Sequence, residues 1–266
     1  MLSYPDIDPI IFQVGPLAMR WYGLMYVLGF LAAYLLVRYQ FRRYPHPGLA
    51  DHFDNLNLIL IISLVVGSRL GYVLFYSLPY YLENPGEILA TWHGGMSFHG
   101  GVLGLILGGL IFCRIKRLDF LRTADAYAVA APIGLGLGRL GNFINGELYG
   151  RVSDLPWAMV FPGGGPLPRH PSQLYESLLE GLLLFCLMWW SLGWHWRRQW
   201  PAGRLVAIFL TGYGVMRFLV EFVREPDAHL GLAWGVFSRG QLLSSLMIAA
   251  GVALWFMVST LKIKKR

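Results

Sequence analysis

Seven apolar runs, each about as long as a membrane is thick, constrain the fold of this 266-residue chain more than any other feature. An α-helix rises 1.5 Å per residue, so about twenty residues cross the roughly 30 Å hydrocarbon layer of a bilayer. The predicted spans are residues 18–37, 56–76, 98–113, 123–144, 173–193, 204–223 and 240–261. We therefore expect an all-α polytopic membrane protein in which residues 1–266 form a single integral domain.

The composition agrees with this class and excludes several others. Hydrophobic residues make up 56% of the chain and charged residues only 14%, which rules out a water-soluble globular domain and a disordered chain. The two cysteines, Cys113 and Cys186, both lie inside apolar runs, so a disulfide scaffold is not expected. Neither a His-Glu-x-x-His motif nor a cluster of Cys and His occurs, and we expect no metal and no cofactor.

The basic residues are distributed unevenly between alternate loops. Fourteen of the 22 Lys and Arg residues fall in or beside one alternating set, at 38–43, 114–122, 197–204 and 262–266, whereas the other set holds four. The positive-inside rule then predicts a periplasmic N-terminus and a cytoplasmic C-terminus. The net charge of +7 is explained by this orientation, and no nucleic-acid partner is expected. Residues 145–172, rich in Gly and Pro, are predicted to be a periplasmic loop or small cap.

Four arginines remain inside the predicted spans: Arg20, Arg69, Arg139 and Arg217. A charge within the membrane is costly unless it is paired or wetted, so each is a candidate for function. The predicted orientation places all four in the outer half of the membrane. Two have a plainer alternative, because Arg20 can snorkel to the surface as an anchor and Arg69 can be a structural ion-pair partner.

Carboxylates and other polar groups occur at the same predicted depth as these arginines. Glu176 and Glu180 begin the fifth span, and Glu221 ends the sixth. The other polar residues at this level are Tyr22, Ser97, His99, Asn142, Asn145, Glu147, Gln173, Tyr175 and Tyr213. Together these groups predict one polar chamber that opens to the outer leaflet.

The most informative motif is GRLGNFINGELYGR at 138–151. On a helix Arg139 and Asn142 lie one turn apart, so a guanidinium and a carboxamide project from one face. The planar guanidinium keeps its charge and offers paired donors that suit a phosphodiester. The alternative is a helix-packing stripe made by Gly134, Gly136, Gly138 and Gly141, with a buried Arg–Glu pair beside it.

Three further motifs contain polar or titratable residues at the same predicted membrane depth. His99, within GGMSFHGG at 94–101, can take or give a proton near neutral pH, although a lone membrane histidine is as often a hydrogen-bonded packing residue. A second motif is a polar stripe at helical spacing, formed by Tyr213, Arg217, Glu221 and Arg224. Its plainer explanation is the Arg217–Glu221 ion pair at i, i+4. In RHPSQLYE at 169–176, Ser172 is the predicted N-cap of the fifth span.

These motifs, together with RWYGLMY at 20–26 and YGxxRxxxEFxR at 213–224, resemble those of the bacterial phosphatidylglycerol–prolipoprotein diacylglyceryl transferases. The resemblance covers nearly the whole chain, and the 138–150 run is specific to the family. Two departures stand out. The linker between Pro162 and Arg169 is shorter than in some members, and position 20 is Arg where some members carry His.

The resemblance implies an inner-membrane enzyme whose site faces the periplasm. It would transfer the sn-1,2-diacylglyceryl group of phosphatidylglycerol to the lipobox cysteine of a preprolipoprotein signal peptide, releasing glycerol 1-phosphate. Membrane lipids are its other partners. The catalytic residues that it implies are His99, Arg139, Asn142, Tyr213, Arg217 and Glu221. Arg139 and Arg217 also count as lipid-binding residues, together with Tyr22, Asn145, Glu147, Glu176 and Arg224.

The proton acceptor for the thiol remains open at this point. His99 is the first candidate, and Glu147 and Glu221 are its rivals. Arg139 and Arg217 would bind the phosphodiester and neutralise the charge that builds on the leaving group. A competing class is a lipid or anion transporter, which also suits buried arginines but predicts internal repeats and polar groups towards both faces. A structural scaffold would leave the buried charges without purpose.

Overall fold

The computed structural model describes residues 2–5, 7–15, 17–44, 46, 48–225 and 237–264, and they are mostly helical. Lys265 and Arg266, the end of the last basic group, lie outside these residues. Two short strands, β1 (Ile10–Val14) and β2 (Leu17–Arg20), precede the helices. The α-helices are α1 (Trp21–Arg43), α2 (Phe53–Phe75), α3 (Leu78–Glu83), α4 (Phe98–Ile115), α5 (Phe120–Ile144), α6 (Ser172–Glu176), α7 (Leu184–Arg197), α8 (Arg204–Val220) and α9 (Arg239–Lys264). A π-helical segment, Ser177–Leu183, joins α6 to α7, and short 3-10 turns cover Ala50–His52, Pro85–Leu89 and Thr91–His93.

The predicted membrane class is confirmed by the length and apolarity of these helices. Within the described residues, five helical segments are long and apolar enough to cross a bilayer: Trp21–Arg43, Ala50–Phe75, Phe98–Ile115, Ser172–Arg197 and Arg239–Thr260. Helices also occupy the other two predicted spans. However, α5 is not among these five segments, and α8 has only 17 residues, fewer than a straight crossing needs. The count of seven crossings and their orientation therefore stay predictions.

The start of the first span differs from the prediction. Residues 17–20 form β2 of an antiparallel hairpin with β1, and helix α1 begins only at Trp21. Gly15, with φ of 59°, lies in the turn between the strands, where glycine meets no Cβ penalty. Arg20 is consequently an exposed residue of a strand, so its predicted place inside the first span is wrong, and its role as a surface anchor stays a prediction.

The chain divides into two compact units, the first formed by Met1–Gln40 with Ala124–Arg266 and the second by Phe41–Thr123. In the second unit α2 and α4 pack closely along glycines. An added Cβ at Gly71 would lie 2.7 Å from the Cα atom of Gly100, and one at Gly67 would lie 2.8 Å from that of Gly104. Small residues let the two backbones touch, as in many membrane helix pairs.

In the first unit the glycine-rich face of α5 packs against two partners. A Cβ on Gly136 would lie 3.0 Å from the Cα atom of Gly181 in the π-helical segment, and Ser177 donates a hydrogen bond to the Gly136 carbonyl at 3.1 Å. Gly29 of α1 approaches Gly134 in the same way. Part of the predicted glycine stripe is thus a packing surface, and it brings α5 against the segment that begins at Ser172.

Residues 145–171 contain no helix and form a folded cap on this unit. Isolated bridges pair Arg169 with Val152 and with Met159, and Gly150 with Arg224. The Arg169 side chain donates to the carbonyls of Gly164 and Gly150, and its guanidinium stacks over the Tyr149 ring. The cap is therefore bound to the residues that follow α8. That it faces the periplasm, and that the whole chain is one domain, stay predictions.

Candidate functional site

A buried carboxylate binds arginines from two different helices in the first unit. Glu176, at the end of α6, is 1% exposed, and its Oε2 atom lies 2.5 Å from Nε of Arg139 on α5 and 3.1 Å from Nη1 of Arg217 on α8. A buried charge is tolerated only when it is paired in this way. The two arginines that the sequence places 78 positions apart therefore meet at one oxygen atom.

Arg217 connects this carboxylate to two others. Its Nη2 atom donates to Oε1 of Glu221 at 2.5 Å, and its Nη1 atom lies 3.6 Å from Oε1 of Glu180. The predicted i, i+4 pair between Arg217 and Glu221 is therefore confirmed. It is one part of a larger network, since Arg217 also reaches Glu176.

Arg224 completes the network from outside the helix. The predicted sixth span ran to 223, but α8 ends at Val220 and a turn follows. Arg224 pairs through its backbone with Gly150 of the cap, and its guanidinium lies 3.2 Å from Oε1 of Glu176 and 3.8 Å from Glu221. We call the six residues Arg139, Glu176, Glu180, Arg217, Glu221 and Arg224 the charged cluster.

The π-helical segment contains one member of this cluster. Glu180 is completely buried, and neither of its carboxylate oxygens accepts a hydrogen bond from any residue that the structure describes. The hydrogen bonds of a π-helix span one residue more than those of an α-helix, which changes which side chains share a face, and such segments are frequent at functional sites. Here Glu176 and Glu180, on either side of its start, both lie beside Arg217.

Burial separates the two kinds of charge within the cluster. The three glutamate side chains are at most 5% exposed, whereas those of Arg217 and Arg224 are 13% exposed and that of Arg139 is 20% exposed. Arg139 uses Nε for Glu176 and Nη1 for a long, 3.4 Å bond to Oδ1 of Asn142. Among the described residues Nη2 of Arg139 donates no hydrogen bond. The Arg139 guanidinium is thus paired with the buried Glu176 carboxylate, and one of its nitrogens keeps donors that are suitable for an anion.

The amide group of Asn142 links Arg139 to a second set of polar residues. Asn142 donates from Nδ2 to Oε1 of Glu147 at 2.9 Å, and Asn145 donates to the same oxygen at 3.2 Å. Gln173 donates to the main-chain carbonyl of Glu147 at 2.6 Å. Because Glu147 is itself exposed, its carboxylate lies at the accessible edge of the site.

Two tyrosines lie on the helices that surround these groups. Tyr22 packs on the α5 backbone, where a Cβ on Gly141 would lie 2.9 Å from the Tyr22 ring, and its hydroxyl is hydrogen-bonded to that of Tyr26 at 2.9 Å. Tyr213 is one turn before Arg217 on α8 and within electrostatic range of Arg217 and Glu180. The first unit therefore brings together all the predicted site residues except His99.

The chain is similar to known proteins over nearly its whole length. The family model described as prolipoprotein diacylglyceryl transferase matches residues 9–257. The chain belongs to this family. A protein of Desulfotalea psychrophila named phosphatidylglycerol–prolipoprotein diacylglyceryl transferase is 58% identical over 256 residues, covering 96% of this chain and 94% of its own. Proteins with the same name from Geobacter sulfurreducens and Bordetella avium are 54% and 52% identical, and each alignment covers at least 97% of both chains.

The family match includes the second unit, where His99 lies. His99 is an exposed residue in the first turn of α4, with its ring 5.7 Å from that of Phe98. Ser97 is the N-cap of this helix: its hydroxyl accepts a hydrogen bond from the Gly100 amide at 3.2 Å, and its own amide donates to Ser68. The close approach of Gly100 to α2 then holds the histidine-bearing turn against that helix.

Arg69 has a structural role in the second unit. It is 4% exposed and donates to five main-chain carbonyls, those of Glu87, Ile88, Ala90, Gly94 and Gly95. Its guanidinium also stacks over the Tyr81 ring at 5.1 Å. The alternative of a structural ion pair is wrong, because the partners are carbonyl groups. Arg69 instead folds the loop that leads into GGMSFHGG.

One predicted cap is wrong and another was missed. Helix α6 begins at Ser172 with Pro171 as its N-cap, and the Ser172 hydroxyl donates to the Leu148 carbonyl at 3.0 Å, so it caps no helix. By contrast, Ser238 caps α9 and donates to Oε2 of Glu221 at 2.7 Å. The signal for it was present, because Ser-x-x-Gln at 238–241, just before an apolar run, is a capping-box pattern.

Proposed function

We propose that this chain is a phosphatidylglycerol–prolipoprotein diacylglyceryl transferase. Its substrates would be phosphatidylglycerol and a preprolipoprotein signal peptide that carries a lipobox cysteine. The products would be a thioether-linked diacylglyceryl cysteine and glycerol 1-phosphate. The observation that carries the proposal is the meeting of Arg139 and Arg217 at one oxygen of Glu176, in a chain that belongs to this family over nearly its whole length.

The charge balance of the cluster suits a lipid that carries a single phosphodiester. Three arginines face three buried glutamates, so the cluster is formally neutral before a substrate binds. This neutrality lets the guanidinium groups exist within an apolar protein. The glutamates bind the arginines from the buried side, so the more exposed edge of Arg139 stays available for the phosphate oxygens.

Bond making would take place at the glyceryl carbon that bears the phosphate. The cysteine sulfur attacks this carbon, the carbon–oxygen bond breaks, and its electron pair leaves with the phosphate of glycerol 1-phosphate. Arg139 and Arg217 would neutralise the charge that develops on the leaving oxygen, an interaction that is stronger in the transition state than in the bound lipid. Asn142 would orient Arg139, since its amide links that residue to Glu147.

The thiol must lose its proton for this attack, because a free cysteine with a pKa near 8.5 is mostly protonated at neutral pH. His99 is our candidate for the proton acceptor, and Glu147 and Glu221 remain its rivals. Tyr22, Tyr213, Asn145 and Arg224 would bind or orient the lipid headgroup as supporting groups.

Transfer itself is the decisive test. The purified protein, reconstituted in vesicles, is incubated with a lipobox peptide and phosphatidylglycerol labelled in its glycerol headgroup. We expect the peptide to gain the mass of one diacylglyceryl group while labelled glycerol phosphate is released. A peptide with serine in place of the lipobox cysteine and vesicles of phosphatidylethanolamine are the controls. Movement of labelled lipid across the bilayer without peptide modification would instead indicate the transporter.

The proposed location is the bacterial inner membrane, with the site on the periplasmic side. The distribution of basic residues supports it, because the groups at 38–43, 114–122, 197–204 and 262–266 would all face the cytoplasm. A reporter that is active only in the cytoplasm, fused after residue 266 and in separate chains at residue 164 of the cap, tests the orientation. We expect activity from the first fusion alone, and activity from the cap fusion would contradict the proposal.

A further inference from the structure

The start of the last helix contacts the charged cluster. Ser238, which directly precedes α9, is 5% exposed, and its hydroxyl donates to Oε2 of Glu221 at 2.7 Å. Glu221 is likewise 5% exposed, and its other oxygen, Oε1, accepts from Arg217. The two oxygens of this carboxylate therefore have different partners, one on α8 and one at the start of α9.

The direction of the Ser238 hydroxyl is determined by its neighbours. Its oxygen accepts a hydrogen bond from the Gln241 amide at 3.0 Å, and the Gln241 side chain accepts from the Ser238 amide at 3.0 Å. This reciprocal pair is a capping box. A serine hydroxyl has one proton to donate. Because the helix amide occupies the acceptor side of the oxygen, that proton is directed to Glu221.

Gly240 leaves the space in which the Glu221 carboxylate packs against the start of α9. An added Cβ at this position would overlap the Glu221 carboxylate, including its carbon and both oxygens. The φ angle of Gly240 lies outside the left-handed region, so space rather than backbone conformation requires glycine here. Glu221 is thus packed against the first turn of α9, and a side chain at position 240 would force its carboxylate to move.

We infer that Ser238 and Gly240 are positioning residues for lipid binding, and that they act through Glu221 on Arg217. Ser238 holds one carboxylate oxygen, which turns the other oxygen towards the Arg217 guanidinium. Gly240 leaves the space in which the carboxylate takes that orientation. If either contact were lost, Glu221 could rotate and Arg217 would no longer be held in place for the lipid phosphate. This inference rests on the proposed function, in which Arg217 binds the phosphodiester.

Serine variants separate this role from that of a helix cap. Ser238→Thr keeps the cap and the hydroxyl proton. Ser238→Asp keeps a good cap but loses the proton and brings a second negative charge to Glu221. We expect Ser238→Ala and Ser238→Asp to raise the KM for phosphatidylglycerol about tenfold or more, the effect of losing one hydrogen bond to a charged group, and to leave the KM for the peptide unchanged. Ser238→Thr should restore the wild-type KM.

Two glycine-to-alanine variants form a matched test and control. Gly240→Ala should raise the KM for the lipid as Ser238→Ala does. Gly193→Ala, in α7, should leave it unchanged, because a Cβ there would meet only the Arg197 side chain, at 3.9 Å. Thermal unfolding of each variant in detergent measures the folded fraction, which changes the maximal rate but not the KM.

Binding of phosphatidylglycerol in detergent micelles, measured without peptide, makes the test independent of turnover. Weaker lipid binding by Ser238→Ala and Gly240→Ala, with normal binding by Ser238→Thr, supports the inference. This holds even if the wild-type protein performs no transfer, because the absence of transfer would refute only the proposed function. Unchanged lipid binding and unchanged KM in folded Ser238→Ala would overturn the inference. So would a Ser238→Asp variant that behaves like wild type, because the residue would then be only a cap.

Discussion

Arg139 and Arg217 come from different helices and lie against the same oxygen atom of one buried carboxylate, at 2.5 Å and 3.1 Å. Carboxylate pairing of this kind lets two guanidinium groups approach each other in apolar surroundings, where their mutual repulsion would otherwise separate them. Under the proposed function, the lipid phosphodiester would meet two oriented cations at once. If the proposed function holds, the cluster is preorganised for a singly charged lipid headgroup.

Loss of the Arg139 guanidinium should remove much of this stabilisation. We expect Arg139→Ala to lower the transfer rate by about 10²–10³, as the removal of a transition-state donor does in other enzymes. Steady-state transfer to a lipobox peptide measures the effect. Arg20→Ala is the matched control, because Arg20 is exposed on a strand and should tolerate the change. Near-normal transfer by Arg139→Ala would show that the cluster is structural.

A His99→Gln variant tests the proton acceptor. Glutamine retains hydrogen-bonding capacity but does not titrate near neutral pH, whereas imidazole does. If His99 accepts the thiol proton, the acidic limb of the pH–rate profile should disappear in the variant and the maximal rate should fall about 10²-fold or more. An unchanged profile would exclude His99 and leave Glu147 and Glu221 as the candidates.

Gly150 should not tolerate a side chain. A Cβ at this position would overlap the Val223 carbonyl and lie 2.7 Å from the His170 side chain. Because backbone atoms cannot move aside cheaply, we expect Gly150→Ala to cost about 1–3 kcal/mol of unfolding free energy and to displace Arg224 from Glu176. Gly163→Ala, in the same cap, is the control, since its nearest neighbour would be the Tyr149 ring at 3.9 Å. Equal unfolding temperatures for the two variants would contradict this.

Arg69→Lys tests the structural role assigned to Arg69. An ammonium group carries the same charge but has three donors on one nitrogen, so it cannot reach the five carbonyls that the guanidinium binds. Each carbonyl left unsatisfied costs about 1–3 kcal/mol. We expect a clearly lower unfolding temperature than for Arg114→Lys, an exposed position in the same unit. If charge alone mattered, the two variants would unfold alike.

His46 should make the protein less stable in acid. Burial, with a smaller contribution from the Arg122 guanidinium, lowers the pKa of His46 from its usual value to about 4. Between roughly pH 6.5 and pH 4 the unfolded chain therefore binds a proton that the folded protein does not, and stability falls as the pH falls. His46→Phe, which keeps the ring beside Phe41, should show a smaller difference in unfolding temperature between pH 7 and pH 5. Parallel curves for the two proteins would refute the assignment.

The helices and the identity of most polar site residues could be predicted because both depend on local sequence. Apolar runs predicted the helices at 98–115 and 120–144 to within a few residues. The predicted pairing of Arg139 with Asn142 and of Arg217 with Glu221 needs only helical spacing. Predictions failed where a polar side chain had several possible hydrogen-bond partners in the folded protein. Ser172 binds the Leu148 carbonyl, and Arg69 binds loop carbonyls rather than a carboxylate.

What the amino-acid order determines here is the kind of chain: its apolar helices, the charges that they carry, and the family to which it belongs. Contacts between distant segments were decided only by packing. Glu176 binds Arg139 and Arg217 because Gly136 and Gly181 let two helices touch, and Ser238 reaches Glu221 because Gly240 leaves room for the carboxylate. Hydropathy and helical periodicity describe one segment at a time. They contain no information on which faces meet, and that choice depends on the close fit of side chains across the folded protein.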